Sequence, residues 1–172
     1  MSLVNHPRVA KALTTYEREA LVRATGDRSR FDVVVDGNGS EIGTVSDRYK
    51  LTQPGDVIGC LDLIAENHGI KLEPGFGWYN NGTSKFRFTI PNRKIVINDR
   101  DGGITPEVEI RHGGGGKASL FVGIGGIITV CTNGMRAFRL ASSETRKNTT
   151  GLDVEKVLAD AFRRLDLGIE RT

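Results

Sequence analysis

Residues that carry metal, redox or covalent chemistry are scarce in this chain. Its two cysteines, Cys60 and Cys131, stand far apart, and His6, His68 and His112 are scattered. No metal-ligand spacing is met, and this usage fits a reduced, intracellular protein better than a disulfide scaffold. Nucleophile signatures are missing too: there is no G-x-S-x-G, and Ser119 has no flanking elbow glycines. No catalytic set, metal or cofactor is therefore assigned. No apolar run approaches the ~18–20 residues of a membrane span, and the start of the chain lacks a signal-peptide core. At 38% hydrophobic and 26% charged residues, the composition is neither that of a disordered chain nor that of a membrane protein. A single cytoplasmic domain over residues 1–172 is expected, long enough to bury a core without staples.

Glycine, by contrast, is plentiful, with 22 residues. The most informative run is Arg111–Arg136, R-H-G-G-G-G-K-A-S-L-F-V-G-I-G-G-I-I-T-V-C-T-N-G-M-R. It reads as a glycine loop, an apolar β segment containing Gly123, Gly125 and Gly126, and an Asn-Gly turn. Glycines inside a strand mark a bulge, a bend or a close approach of another backbone or ligand. Gly113–Gly116 followed by Lys117 fails as a phosphate loop. Arg111 stands where its first glycine belongs, Ala118 where a Ser or Thr belongs, and no helix follows. The four glycines are expected to form a mobile hairpin tip, with Lys117 free to touch a phosphate backbone.

Three segments organise the rest. Residues 1–30 read as a helix, Pro7 to Arg23, and a polar connection: Val9, Leu13, Tyr16 and Ala20 recur at helical spacing. Residues 31–138 read as a β-rich core. It opens with a hairpin (Phe31–Val35, turn Asp36–Ser40, partner Glu41–Val45) and an extended exit over Ser46–Lys50. A helix over Gln53–Asn67 follows, with Thr52 as N-cap and Val57, Ile58, Leu61, Ile64 and Ala65 as its apolar face. From Lys71 to Cys131 the pattern is β, with an Asn80-Asn81-Gly82 turn and a strand at Ile95–Ile97. Residues 139–172 read as a linker and a helix over Asp153–Leu167, with a Thr150–Asp153 capping box and Gly168 as its stop. The order α-β-β-α-β(n)-α predicts an α+β fold, an antiparallel sheet covered by about three helices. Strand alternation puts Phe86, Phe88, Ile90, Val122, Ile124 and Val130 in the core.

Charge is uneven. Lys85 to Lys147 holds eleven Lys/Arg against five Asp/Glu, a surplus of +6 in a chain whose net charge is +3. A basic β half with aromatics nearby is the combination that binds nucleic acid, cations on phosphates and rings on bases. The candidates are Lys85, Arg87, Arg93, Lys94, Arg100 and Lys117 for phosphates, and Trp78 and Tyr79 for stacking. Alternation turns Phe86 and Phe88 towards the core.

Three stretches resemble a phage- and plasmid-borne family catalogued as domain of unknown function 932. They are Ile42-Gly-Thr-Val-Ser-Asp-Arg-Tyr-Lys50 leading into Thr52-Gln53-Pro54, the β segment Phe86–Ile90, and Ile127-Ile-Thr-Val-Cys-Thr-Asn-Gly134. The likeness covers about Phe31 to Phe138; the quadruple glycine is an insertion, and the family brings no catalytic residues. The element order is also loosely similar to Rad52-type single-strand annealing proteins, an analogy of fold. The resemblance implies a mobile-element protein in a bacterial cytoplasm. The expected partner is single-stranded DNA, in annealing or recombination. The alternatives are a host protein, for example a defence factor to be inhibited, a homo-oligomer, or a small enzyme of unrecognised type.

Overall fold

The computed structural model describes residues 2–91, 93–94, 104–129 and 136–169. A 3-10 turn at Leu3–Asn5 precedes α1 (Pro7–Ala10), β1 (Tyr16–Val22), β2 (Arg28–Asp36), β3 (Glu41–Ser46) and α2 (Pro54–Asn67). Then come β4 (Glu73–Asn80), β5 (Thr83–Thr89), β6 (Pro106–Gly113), β7 (Leu120–Thr129), β8 (Arg136–Arg146) and α3 (Val154–Ile169). The fold is α+β with two antiparallel sheets, β1-β2-β3 and β4-β5-β6-β7-β8. Among the described residues no helix is long and apolar enough to cross a membrane.

The helix expected over Pro7–Arg23 stops at Ala10, and its second half is the edge strand β1. Glu17, Arg18, Glu19 and Ala20 are good helix formers, but tertiary pairing overrides propensity. Tyr16 to Ala20 lie opposite Asp36 to Asp32 of β2, and the Tyr16 ring fills a small core with Val34, Ile42 and Val45. That strand makes the first sheet three-stranded, and β8 runs to Arg146, through part of the expected linker. Residues 95–97 and Val130 lie outside the described residues.

One face of the large sheet is covered. Phe86, Phe88, Val108, Ile110, Leu120, Val122 and Ile124 pack in one core with α2 and α3, and Ile90 is buried with them. Burying each such side chain contributes about 1.5–3 kcal/mol. All five apolar residues expected on α2 are buried. Its N-cap, however, is Gln53, whose amide makes no cap bond. The Tyr16 N–H donates to Gln53 Oε1, and Gln53 Nε2 donates to the Tyr16 carbonyl, each at 2.8 Å. Thr52, the expected cap, is buried with Oγ1 unbonded among the described residues. On α3, Asp153 itself accepts from the Lys156 N–H at 3.0 Å. The cap is therefore one residue, not a box with Thr150. Gly168 lies inside the helix rather than ending it.

The four-glycine run lies at the β6–β7 hairpin connection, as expected, but it is packed rather than a free tip. Gly113 and Gly114 are buried, and the run is the joint between the two sheets. A Cβ on Gly43 would lie 2.2 Å from the Gly115 carbonyl oxygen, and one on Gly114 would meet Ile42 and Tyr16 at about 3.0 Å. Side chains bind the neighbouring carbonyls: Tyr16 Oη donates to Gly82 O (3.1 Å) and Tyr49 Oη to Gly113 O (3.0 Å). Asn148 Nδ2 donates to Gly113 O (2.8 Å) and Ala118 O (3.2 Å). Buried backbone acceptors need such partners where no ladder supplies them. His112 lies beside this joint, its ring centroid 6.2 Å from that of Tyr16. It is buried, with neither ring nitrogen hydrogen-bonded among the described residues. Burial pushes its pKa down to about 4 and raises that of Tyr16 to about 12.

Two predictions follow from this joint. Gly43→Ala is expected to cost about 1–3 kcal/mol of unfolding free energy by forcing backbones apart. Gly116→Ala, which meets nothing within 4 Å but sits at φ +76°, is expected to cost about 1 kcal/mol from backbone strain alone. Urea denaturation of both variants checks the order. Between pH 6.5 and about 4 the unfolded chain takes up a proton that folded His112 refuses. Stability from this source is full above pH 6.5 and falls through that window, by roughly 3 kcal/mol in all. In His112→Leu, denaturation midpoints should fall less between pH 7 and 4.5 than in the parent protein.

Candidate nucleic-acid interface

Strand pairing fixes which side chains share the face of the large sheet that no described helix covers. Trp78 is opposite Lys85, Lys85 opposite Arg111, and Arg111 opposite Phe121. Phe76 is opposite Arg87, Arg87 opposite Glu109, and Glu109 opposite Gly123. Leu140 of β8 leans over Gly123, where a Cβ would lie 2.6 Å from its Cδ2. Glycine there makes room for a neighbouring side chain rather than for a ligand. Phe76, Trp78 and Leu140 are 43%, 44% and 44% exposed, so this face carries large apolar groups in contact with water.

The cations lie among the rings. Arg111 Cζ is 3.9 Å from the centroid of Phe121, and Arg87 Cζ is 4.7 Å from that of Phe138. Phe76, Trp78, Lys85 and Arg87 line an open hollow of about 420 Å³. Charge is partly offset within the face. Glu109 pairs with Arg87 (2.8 Å), Lys85 (3.2 Å) and Arg111 (3.4 Å), and Glu107 with Arg87 (3.6 Å). Burial raises the Glu107 pKa, against the pull of the Arg87 charge. Other hollows suit this chemistry less. The one beside α3 mixes Arg146, Lys147 and Lys156 with Glu144, Asp153 and Asp160, and has no aromatic lining.

Of the expected site residues, the structure brings together Trp78, Lys85 and Arg87. Tyr79 is the neighbour of Trp78 but points the other way, as alternation along β4 requires. Its hydroxyl donates to Asp36 Oδ2 at 2.6 Å and accepts from the Gly82 N–H at 3.1 Å. Tyr79 is therefore a tie between the sheets and not a stacking ring. Its hydrogen bond is the main force holding the Asp36 carboxyl below the usual range. Lys117 is exposed beside the glycine joint, its stem close to Gly82. Arg93 and Lys94 lie past the end of β5, with Lys94 Nζ 2.6 Å from Thr105 Oγ1. Arg100 lies outside the described residues, as does the Cys131–Gly134 end of the family motif.

Phe76, Arg111, Phe121, Phe138 and Glu109 were missed. The signal for Phe121 was available, since it flanks Val122, a residue expected in the core; Arg111 needed the burial of Ile110. Phe76 and Phe138 needed strand pairing. No protein-family model matches the chain, and no curated protein or solved structure is similar to it. The mobile-element resemblance thus rests on its motifs alone.

Trp78 and Tyr79 separate cleanly by stability. Tyr79→Phe leaves the buried Asp36 carboxylate short of a donor and is expected to cost about 1.5–3 kcal/mol. Trp78→Ala, at an exposed position, should change unfolding free energy by about 0.5 kcal/mol or less. Equilibrium denaturation at neutral pH measures both.

Proposed function

We propose that the uncovered face of the five-stranded sheet binds single-stranded DNA. The observation that carries this reading is the exposed pair Phe76 and Trp78 beside Lys85 and Arg87, on a face that no described helix covers. Unpaired bases stack on such rings regardless of sequence, and neighbouring cations hold the backbone. An antiparallel sheet is a suitable platform because it presents alternate side chains in a flat array. The bacterial mobile-element setting implied by the sequence motifs makes annealing or recombination the natural task, with no chemistry required of the protein.

A second reading has its own observation. Glu107 and Glu109 offset much of the positive charge, and Leu140 adds exposed apolar area. That mixture also suits a protein partner, whether a host factor or a second copy of this chain.

Fluorescence anisotropy with a labelled oligonucleotide across a salt series distinguishes them. Phosphate contacts give a log–log slope of about −0.7 each on single strands, so Lys85, Arg87 and Arg111 together set a limit near −2. Trp78→Ala is expected to weaken binding by roughly 1–3 kcal/mol with little change in slope. Absence of binding at low salt would reject the nucleic-acid reading and leave the protein-partner one.

A further inference from the structure

Three cations on the open face converge on one carboxylate. Glu109 belongs to β6, the middle strand of the five, and is 5% exposed. Its Oε2 lies 2.8 Å from Arg87 Nη2 and 3.2 Å from Lys85 Nζ, and its Oε1 3.4 Å from Arg111 Nε. Each guanidinium also lies over a ring, Arg87 on Phe138 and Arg111 on Phe121. An arginine held by a carboxylate and seated on an aromatic ring keeps its planar group against the sheet, where it offers a stacking surface to a base. Released from the carboxylate, three neighbouring cations repel one another and extend towards phosphates.

We infer that Glu109 is a positioning residue that holds Arg87 and Arg111 down on their rings, so that the face grips an unpaired strand more through its bases than through its phosphates. This rests on the single-strand reading above and adds the mode of recognition. A simple counter-charge would behave differently: its removal would tighten binding to any polyanion and leave base dependence alone.

The test compares a labelled oligothymidylate with a strand of equal length made of abasic sites, using the full chain across a salt series. The parent protein should bind the abasic strand at least about tenfold more weakly, because each stacked base contributes on the order of a tenfold gain. In Glu109→Gln that abasic penalty should shrink several-fold, and the salt slope should steepen by about 0.7–1.4, one or two further phosphate contacts. Phe121→Leu removes a ring without touching charge and should cut the penalty with no change in slope, which keeps the inference testable if the Gln variant folds poorly. An unchanged penalty in both variants overturns it, and so does uniform tightening in Glu109→Gln with the penalty intact. A parent protein that binds both strands equally overturns this inference and the stacking role of Trp78 but leaves single-strand binding through phosphates standing, whereas one that binds neither strand overturns the single-strand reading and this inference with it.

Discussion

Side chains along a strand alternate between faces, so whatever drives Phe86 and Phe88 beneath α2 and α3 also sends Lys85 and Arg87 to the other side. The same constraint runs across the sheet. Val108 and Ile110 face in while Glu107, Glu109 and Arg111 face out; Val122 and Ile124 face in while Phe121 and Gly123 face out. A slip of one residue in any of these pairings would bury the charged set and expose the apolar one. The core therefore fixes the register, and the register composes the open face. No part of that face has to be specified separately except which polar or aromatic residue stands at each outward position.

The three-stranded sheet braces this arrangement at one end. Glycines at 43, 114 and 115 let two backbones approach more closely than any side chain would allow. Tyr16, Tyr49 and Asn148 satisfy the carbonyls exposed by that approach. Tyr79 ties β4 to Asp36 of β2. The strand that displays Trp78 is thus anchored through its neighbour, and a stacking platform needs such rigidity if binding is not to be spent on ordering it.

Much of this was legible in the sequence where one local rule sufficed. The α2 face followed from its spacing, the β5 core from alternation, and the turns at Asp36–Ser40 and Asn80–Gly82 from their composition. What failed needed tertiary information. Glu17 to Ala20 have helical propensity and become a strand because β2 is there to pair with. Four glycines in a row suggest looseness, but here they answer to a packed neighbour that sequence spacing does not show. Trp78 and Tyr79 both stand near the Asn80-Asn81-Gly82 turn, but neighbours in a strand face opposite ways, so only Trp78 reaches the open face. The Glu109 cluster joins β5 and β6, with its rings on β7 and β8, and only the observed register brings its members together.

Trp78 is the single tryptophan of the chain and lies on the open face, so its own emission reports on that face without a label. Titration of the unmodified protein with an unlabelled single-stranded oligonucleotide at low salt is the most direct measurement. The account predicts saturable quenching as bases stack on the indole, with no comparable change on adding the abasic strand. Oligonucleotide binding, established by a second method, that leaves the tryptophan emission unchanged would contradict it.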